Sequence, residues 1–230
     1  MATQTILIVG ASRGLGLGLA QAYAASGWRV IGTVRNTSPS TGLHALATEI
    51  GRRVSVEVVD ITIPSQVASL RERLAGERID ILFVNAGISN GQAETVADTS
   101  TEAFINIMLT NALSPMRVIE ALADLVPEGG VIAAMSSGLG SVAMNNRGGW
   151  ECYRASKAAL NTMLRSFSVR RGDGRTILAV APGWVRTDMG GPNATLDIGT
   201  SAQGMMKAIA ARRGKPGPAF IEYLGTDVPW

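Results

Sequence analysis

The stretch "TILIVGASRGLGLGLAQAYAASGWRVIGTV", Thr5 to Val34, decides the fold. Its first five residues form a short apolar run that stops at a glycine, which reads as a buried strand. From about Gly14 to Ser26 the apolar residues recur at helical spacing over a length no ordinary strand reaches, and "RVIGTV" (29–34) is a second buried strand. A strand, a crossover helix and a strand close as a right-handed parallel unit. Gly10, Gly14 and Gly16 lie where the first strand hands over to the helix. Glycines there permit a sharp turn and a close backbone approach to a phosphate, while the helix N-terminus supplies unpaired N–H groups and partial positive charge. The spacing is GxxxGxG, and its position between strand and helix gives it meaning.

The alternation continues along the chain. Strands are expected at "VSVEVV" (54–59), "DILFV" (80–84), "GVIAAM" (130–135), "TILAVA" (176–181) and "AFIEYL" (219–224). Helices are expected around 41–50, 65–75, 101–124, 153–170 and 200–212. Seven strands alternating with six helices predict an α/β fold, a doubly wound seven-stranded parallel sheet with helices on both faces, in one domain spanning 1–230. The polar cluster "NTSPSTG" (36–42) is expected as a surface loop. Segments 136–152 and 182–200 follow the fifth and sixth strands. Ligands of open parallel sheets sit beyond the carboxyl ends of strands, so these loops are the expected walls of a site.

Composition agrees. Of 230 residues, 46% are hydrophobic and 17% charged, which suits a sheet covered on both faces and excludes disorder. The formal charge is +3, yet the arginines are scattered and the longest basic clusters are pairs, so no nucleic-acid partner is expected. One cysteine excludes a disulfide framework and cysteine-rich metal sites, and no metal is expected. The N-terminus lacks a basic region followed by a long apolar one, and no run approaches the ~18 apolar residues of a membrane span. A cytoplasmic protein without a membrane partner is the expectation.

Tyr153 and Lys157 are i and i+4, so on a helix they share a face. A phenol with pKa about 10 is a sluggish base, and an adjacent ammonium favours its ionised form. Such a pair can move a proton to or from an alcohol oxygen. At the end of the second strand, where an acidic side chain would bind a ribose 2′-hydroxyl, the sequence has Val34 and Arg35, and Arg13 lies in the glycine loop. Two cations converging there suit a 2′-phosphate and predict NADP(H) over NAD(H).

Taken together, "GASRGLG" (10–16), "NAG" (85–87), Asn111, "SSGLG" (136–140), "YRASK" (153–157) and "PGWVRT" (182–187) resemble, in order and along the full chain, the short-chain dehydrogenase/reductase superfamily. The resemblance implies a Rossmann-type sheet and a catalytic set of Asn111, Ser137, Tyr153 and Lys157, with Ser136 as the alternative serine. It implies that Tyr153 is the acid/base, that Lys157 lowers its pKa and holds the nicotinamide ribose, that Ser137 polarises the carbonyl, and that Asn111 supports a proton relay. Cofactor contacts are implied at Gly10, Ser12, Arg13, Gly14, Leu15, Gly16, Arg35, Asp60, Ile61, Asn85, Ala86, Gly87, Pro182, Gly183, Val185 and Thr187, besides Tyr153 and Lys157. Asp60 and Ile61 fall near the adenine, 85–87 near its ribose, and 182–187 near the carboxamide. "GGWECYRASKAALN" and "FIEYLGTDVPW" look most like C-factor and Sniffer-like carbonyl reductases. The segment from Ser137 to Tyr153 is longer than in many relatives, which leaves the shape of the substrate loop open.

Trp150, Trp184, Met144 and Met189, with Met205, are the candidate apolar lining of the substrate pocket, or else props for the loops that carry them. Arg147 or Arg154 would meet an anionic substituent. Cys152 with His44 would be a nucleophilic pair only if the fold joined two topologically remote positions. The expected function is an NADPH-dependent reductase of apolar or aromatic ketones and aldehydes, reversible as an alcohol dehydrogenase. The alternatives are a cofactor-binding signalling or sensor protein with little turnover, and reduction of a carbon–carbon double bond. The long helices at 101–124 and 153–170 commonly form the dimer face in this family, which implies a homodimer or homotetramer.

Overall fold

The computed structural model describes residues 3–91, 95–171 and 173–230. Seven strands form one parallel sheet: β1 (Thr5–Val9), β2 (Arg29–Val34), β3 (Val54–Val58), β4 (Ile81–Val84), β5 (Val131–Met135), β6 (Thr176–Ala181) and β7 (Gly217–Glu222), in the order β3-β2-β1-β4-β5-β6-β7. The helices are α1 (Gly14–Ala25), α2 (Gly42–Ile50), α3 (Pro64–Arg73), α4 (Thr101–Met108), α5 (Ser114–Leu122), α6 (Glu151–Arg170) and α7 (Ile198–Arg212).

Side-chain alternation along β1 assigns the layers. Ile6 and Ile8 pack with Leu19 and Tyr23 of α1, Leu43 of α2 and Met205 of α7, whereas Leu7 and Val9 pack with Leu70 of α3, Ile119 of α5 and Leu164 of α6. Both faces are therefore covered, and the strands read as continuous apolar runs for that reason. Each fully buried Leu, Ile or Phe contributes about 1.5–3 kcal/mol. Close approach of α1 to α7 depends on Gly18, where a Cβ would come within 2.4 Å of Ile198. At the amino edge of the sheet, Asp80 accepts from the Thr5 N–H at 2.9 Å and from Arg213 at 2.8 Å, tying β1 and β4 to the end of α7.

Several expected boundaries shift. The helix expected over 101–124 is interrupted by a π-helical turn at Leu109–Leu113, because one additional residue is accommodated around Asn111. Helix α6 begins at Glu151, and α7 begins at Ile198 because Asp197 caps it, accepting from the Thr200 N–H at 2.8 Å. The last strand begins two residues early, at Gly217. Tyr223 and Leu224 enter a turn in which the Glu222 N–H donates to Thr226 O at 2.9 Å and Asp227 bridges back to Ile221. The 36–40 loop is exposed, as expected. Among the described residues no helix is long and apolar enough to cross a membrane.

Strand order reverses between β1 and β4. The crevice beyond their carboxyl ends is the switch point at which such sheets bind ligands.

Candidate active site

The glycine turn is built to bring backbone close to backbone. Gly10 has φ +91°, and a Cβ there would lie 2.9 Å from Ala86. At Gly16 it would lie 2.1 Å from the Gly10 carbonyl oxygen. Two side chains outside the glycine motif fix this turn: the Thr33 hydroxyl accepts from the Gly10 N–H at 3.0 Å, and the Asn85 amide donates to Gly10 O at 2.6 Å. Asn85 was expected beside a ribose, but its amide nitrogen is spent inside the cradle, and Thr33 carried no sequence signal. Arg13 is the N-cap of α1 in extended backbone, makes no side-chain cap, and is followed by no acidic residue in the first turn. The N–H groups and positive end of α1 are thus left for an anion. Ser12 is half-buried, and Leu15, in the first turn of α1, packs against the core.

Arg13 and Arg35 stand on the rim of this cradle. Arg35 is exposed directly after β2, and Arg13 pairs with Asp188 at 3.3 Å with both side chains about four-fifths exposed. An ion pair so exposed contributes little, and a phosphate dianion can replace it. Asp60, after β3, accepts from the Thr62 N–H and hydroxyl at 2.9 and 2.6 Å. Ile61 turns its side chain into the core, which leaves only its backbone for a ligand. The residues present therefore fit a dinucleotide phosphate.

The loop after β6 closes the far side. Gly14 and Thr187 approach to ordinary contact, 3.9 Å from a Cβ placed on the glycine. The Ser201 hydroxyl donates to Pro182 O at 2.7 Å, Gly183 takes φ +81°, and Val185 is buried and bridged to Leu196. The Thr187 hydroxyl accepts from the Gly190 N–H at 3.1 Å.

Helix α6 presents Tyr153 and Lys157 together beneath the end of β5. Lys157 is buried, its Nζ donates to Met135 O at 2.9 Å, and it lies 5.7 Å from the Tyr153 ring centroid. Burial pulls its pKa down to about 8. Tyr153 is buried with Ile107 and Cys152, and Ile88, Leu139 and Trp150 pack against this cluster. Burial pushes the phenol up to about 12, and Ser137 acts in the opposite direction. Desolvation is the larger of these two influences on the phenol, and Lys157 is not among them.

The two candidate serines differ in their partners. Ser136 is buried and donates to Asn161 Oδ1 at 2.7 Å, whereas Ser137 is half-buried, accepts from the Leu139 N–H at 3.1 Å and faces Tyr153. Asn111, fully buried in the π turn, accepts from the Ile88 N–H at 2.8 Å and donates to Ile88 O at 2.8 Å and Ser156 at 3.0 Å. Its side chain therefore holds the β4 loop over the site. Gly87 lies directly above, where a Cβ would meet Asn111 Oδ1 at 3.1 Å and Lys157 Nζ at 3.4 Å.

The apolar lining divides. The Trp150 ring meets Tyr153 edge-on at 6.0 Å. Trp184 is 56% exposed with its indole N–H on Gly190 O at 2.9 Å, while Met144 and Met189 are 53% and 43% exposed. Met205 is not at the site; it is fully buried against β1 on the opposite face, because α7 begins at Ile198 and turns that residue inward. His44 caps α2 through Thr41, and Cys152 contacts the Thr99 hydroxyl at 3.4 Å, so no Cys–His pair forms. Arg154 is committed to loop carbonyls and is no anion receptor.

A family model described as Enoyl-(Acyl carrier protein) reductase matches residues 10–217. Among solved structures, a putative short-chain dehydrogenase/reductase from Burkholderia multivorans with bound NADP is 48% identical, with all of both chains covered and a TM-score of 0.97. A carbonyl reductase from Pseudomonas aeruginosa PAO1 in complex with NADP is 39% identical, again over all of both chains, with a TM-score of 0.92. The C-signal protein of Myxococcus xanthus is 39% identical over 155 residues, 66% of this chain and 93% of that one.

Proposed function

The chain belongs to the short-chain dehydrogenase/reductase family of oxidoreductases, and from that premise we propose an NADPH-dependent reductase of apolar or aromatic ketones and aldehydes, reversible as an alcohol dehydrogenase. The observation that carries the reading is the burial of Tyr153 and Lys157 together on α6, 5.7 Å from ring centroid to Nζ, with Gly87 of the β4 loop against the ammonium. When bound, NADPH supplies the hydride. The remaining chemistry belongs to the protein. The Ser137 hydroxyl donates to the carbonyl oxygen and polarises it, Tyr153 transfers its proton to that oxygen as charge develops, and the buried Lys157 ammonium stabilises the tyrosinate left behind. Gly10, Gly14, Gly16 and the N-terminus of α1 hold the pyrophosphate, Asp60 and the 85–87 backbone the adenosine, and Pro182, Gly183, Val185 and Thr187 the carboxamide.

Arg13 and Arg35 are the proposed 2′-phosphate contacts. Charge-assisted hydrogen bonds of this kind are worth about 1.5–3 kcal/mol, so Arg35→Asp should weaken NADPH binding roughly tenfold to a hundredfold while changing NADH binding little. Fluorescence titration of both cofactors checks this, and equal losses for the two would sink the assignment.

Absorbance at the NADPH band over a panel of aryl ketones, aldehydes and an enoyl thioester tests the activity. Turnover of the carbonyls supports the reading. Turnover of the enoyl thioester alone would place the chain with the activity that the matched family model describes. Tight NADPH binding without turnover would favour a sensor, the reading to which the likeness to C-signal points.

We further propose a homodimer through α4, α5 and α6. Phe104 and Ile105 on α4, Leu113 in the π turn and Val169 on α6 leave 40%, 57%, 41% and 82% of their surface open. Sedimentation equilibrium is expected to give a dimer or a dimer of dimers, and Val169→Glu a monomer.

A further inference from the structure

The turn that leads into the catalytic helix is held in an unfavourable backbone conformation. Gly148, Gly149 and Trp150 have φ of +63°, +66° and +56° in succession. Two glycines take that region freely, but a bulky residue there is strained and persists only where its surroundings over-determine it. Trp150 and Asp173 are the non-glycine residues with positive φ among the described residues. Trp150 is also the residue whose ring abuts Tyr153.

Arg154 provides the over-determination. Its Nε donates to Gly149 O at 2.8 Å, Nη2 to Gly148 O at 3.2 Å and Nη1 to Leu139 O at 3.4 Å. Its own backbone N–H donates to Trp150 O at 2.8 Å. The guanidinium fork thus gathers both ends of the long loop between Ser137 and α6 onto one side chain, a geometry that an ammonium cannot reproduce. Arg154 also lines a cleft of about 430 Å³ beneath that loop.

We infer that Arg154 is a positioning residue that clamps the strained Gly148–Trp150 turn and thereby sets the Trp150 ring as the wall of the substrate pocket beside Tyr153. The inference rests on the carbonyl-reductase reading for its substrate end and on the loop geometry alone for its clamp. Arg154 touches no reacting atom. Its loss acts through the Trp150 wall, so substrates that reach the ring are affected and small ones are spared.

The test compares 2-butanone with 1-phenyl-1-propanone as substrates of the full chain with NADPH. Arg154→Met is expected to raise KM for the phenyl ketone roughly tenfold, leave kcat and the NADPH Kd nearly unchanged and spare 2-butanone, with no rescue by Arg154→Lys. Trp150→Gly, which suits a positive φ, is expected to show the same KM change, and the double variant to add nothing further. An unchanged phenyl-ketone KM, or an equal loss of kcat for both ketones, would overturn the inference. If Arg154→Met does not fold, Arg154→Lys decides on the same two criteria. A readout independent of turnover is acrylamide quenching of the Trp150 fluorescence, obtained by difference from Trp150→Phe. It should increase in the Arg154 variants. Unchanged quenching refutes the clamp even if neither ketone is reduced, an outcome that would count against the proposed function and not against the clamp.

Discussion

Tyr153→Phe is expected to lower kcat/KM for carbonyl reduction by about 10²–10⁴-fold, or about 3–5 kcal/mol of transition-state stabilisation, while NADPH binding and Tm stay near the wild-type values. The substitution removes one oxygen and keeps the ring that packs with Ile107 and Cys152 and meets Trp150. What it removes is the proposed proton donor, a phenol whose pKa burial pushes up to about 12. Burial alone does not make a catalyst. Tyr23 has its pKa driven up by desolvation as well, yet it sits in the opposite core, edge-on to Trp28 at 5.0 Å, with neither Ser137 nor Lys157 beside it. Tyr23→Phe is therefore the control and should leave turnover unchanged. Stopped-flow NADPH oxidation on both variants checks the pair, and a Tyr153→Phe enzyme retaining more than a tenth of wild-type turnover would remove the tyrosine from the proposed reaction.

The strands were legible because burial on both faces makes them short, uninterrupted apolar runs, and the glycine turn because its residues have no substitute at Gly10 and Gly16. Tyr153 and Lys157 were legible as a pair because helical spacing alone places them on one face. Their electrostatics were not, since desolvation depends on what packs around them: Ile107 from α4, Leu139 from the loop, Trp150 from the strained turn. The π turn left no mark in the apolar pattern, which runs on through residues 109–113 while the backbone widens by one residue. Thr33 and Asn161 were missed, and Arg154 was given an anion to bind, for a shared reason: each acts by hydrogen bonding to a backbone or side chain distant in sequence or hidden in a loop, and such partners have no periodicity. Met205 was misplaced because the start of α7 is set by a single cap, Asp197, and its phase decides which residues face inward.

Lys157→Met is expected to lower kcat/KM by at least about 10²-fold and yet leave the folded protein as stable as the wild type or more so at pH 7. The buried ammonium has its pKa drawn down from 10.5 to about 8 because folding strips its water, and one hydrogen bond to Met135 O offsets only part of that loss. The sign follows from proton counts. Between about pH 8 and 10.5 the unfolded lysine holds more proton than the folded one, so wild-type stability rises with pH across that window, and below about 8 the penalty of roughly 3 kcal/mol is present in full. Above pH 10 Tyr153 works the other way, because its folded pKa exceeds its unfolded one and stability falls as pH climbs from 10 toward 12. The clean window for Lys157 is therefore about 8 to 10, where urea melts of the wild type should gain stability relative to Lys157→Met. The same titration predicts that wild-type carbonyl reduction declines above about pH 8, as the charge that stabilises the tyrosinate is lost while Tyr153 remains protonated. A stability difference between the two proteins that stays constant from pH 7 to 10, together with a flat rate over that range, would mean that Lys157 enters the site uncharged and acts only as a hydrogen-bond donor.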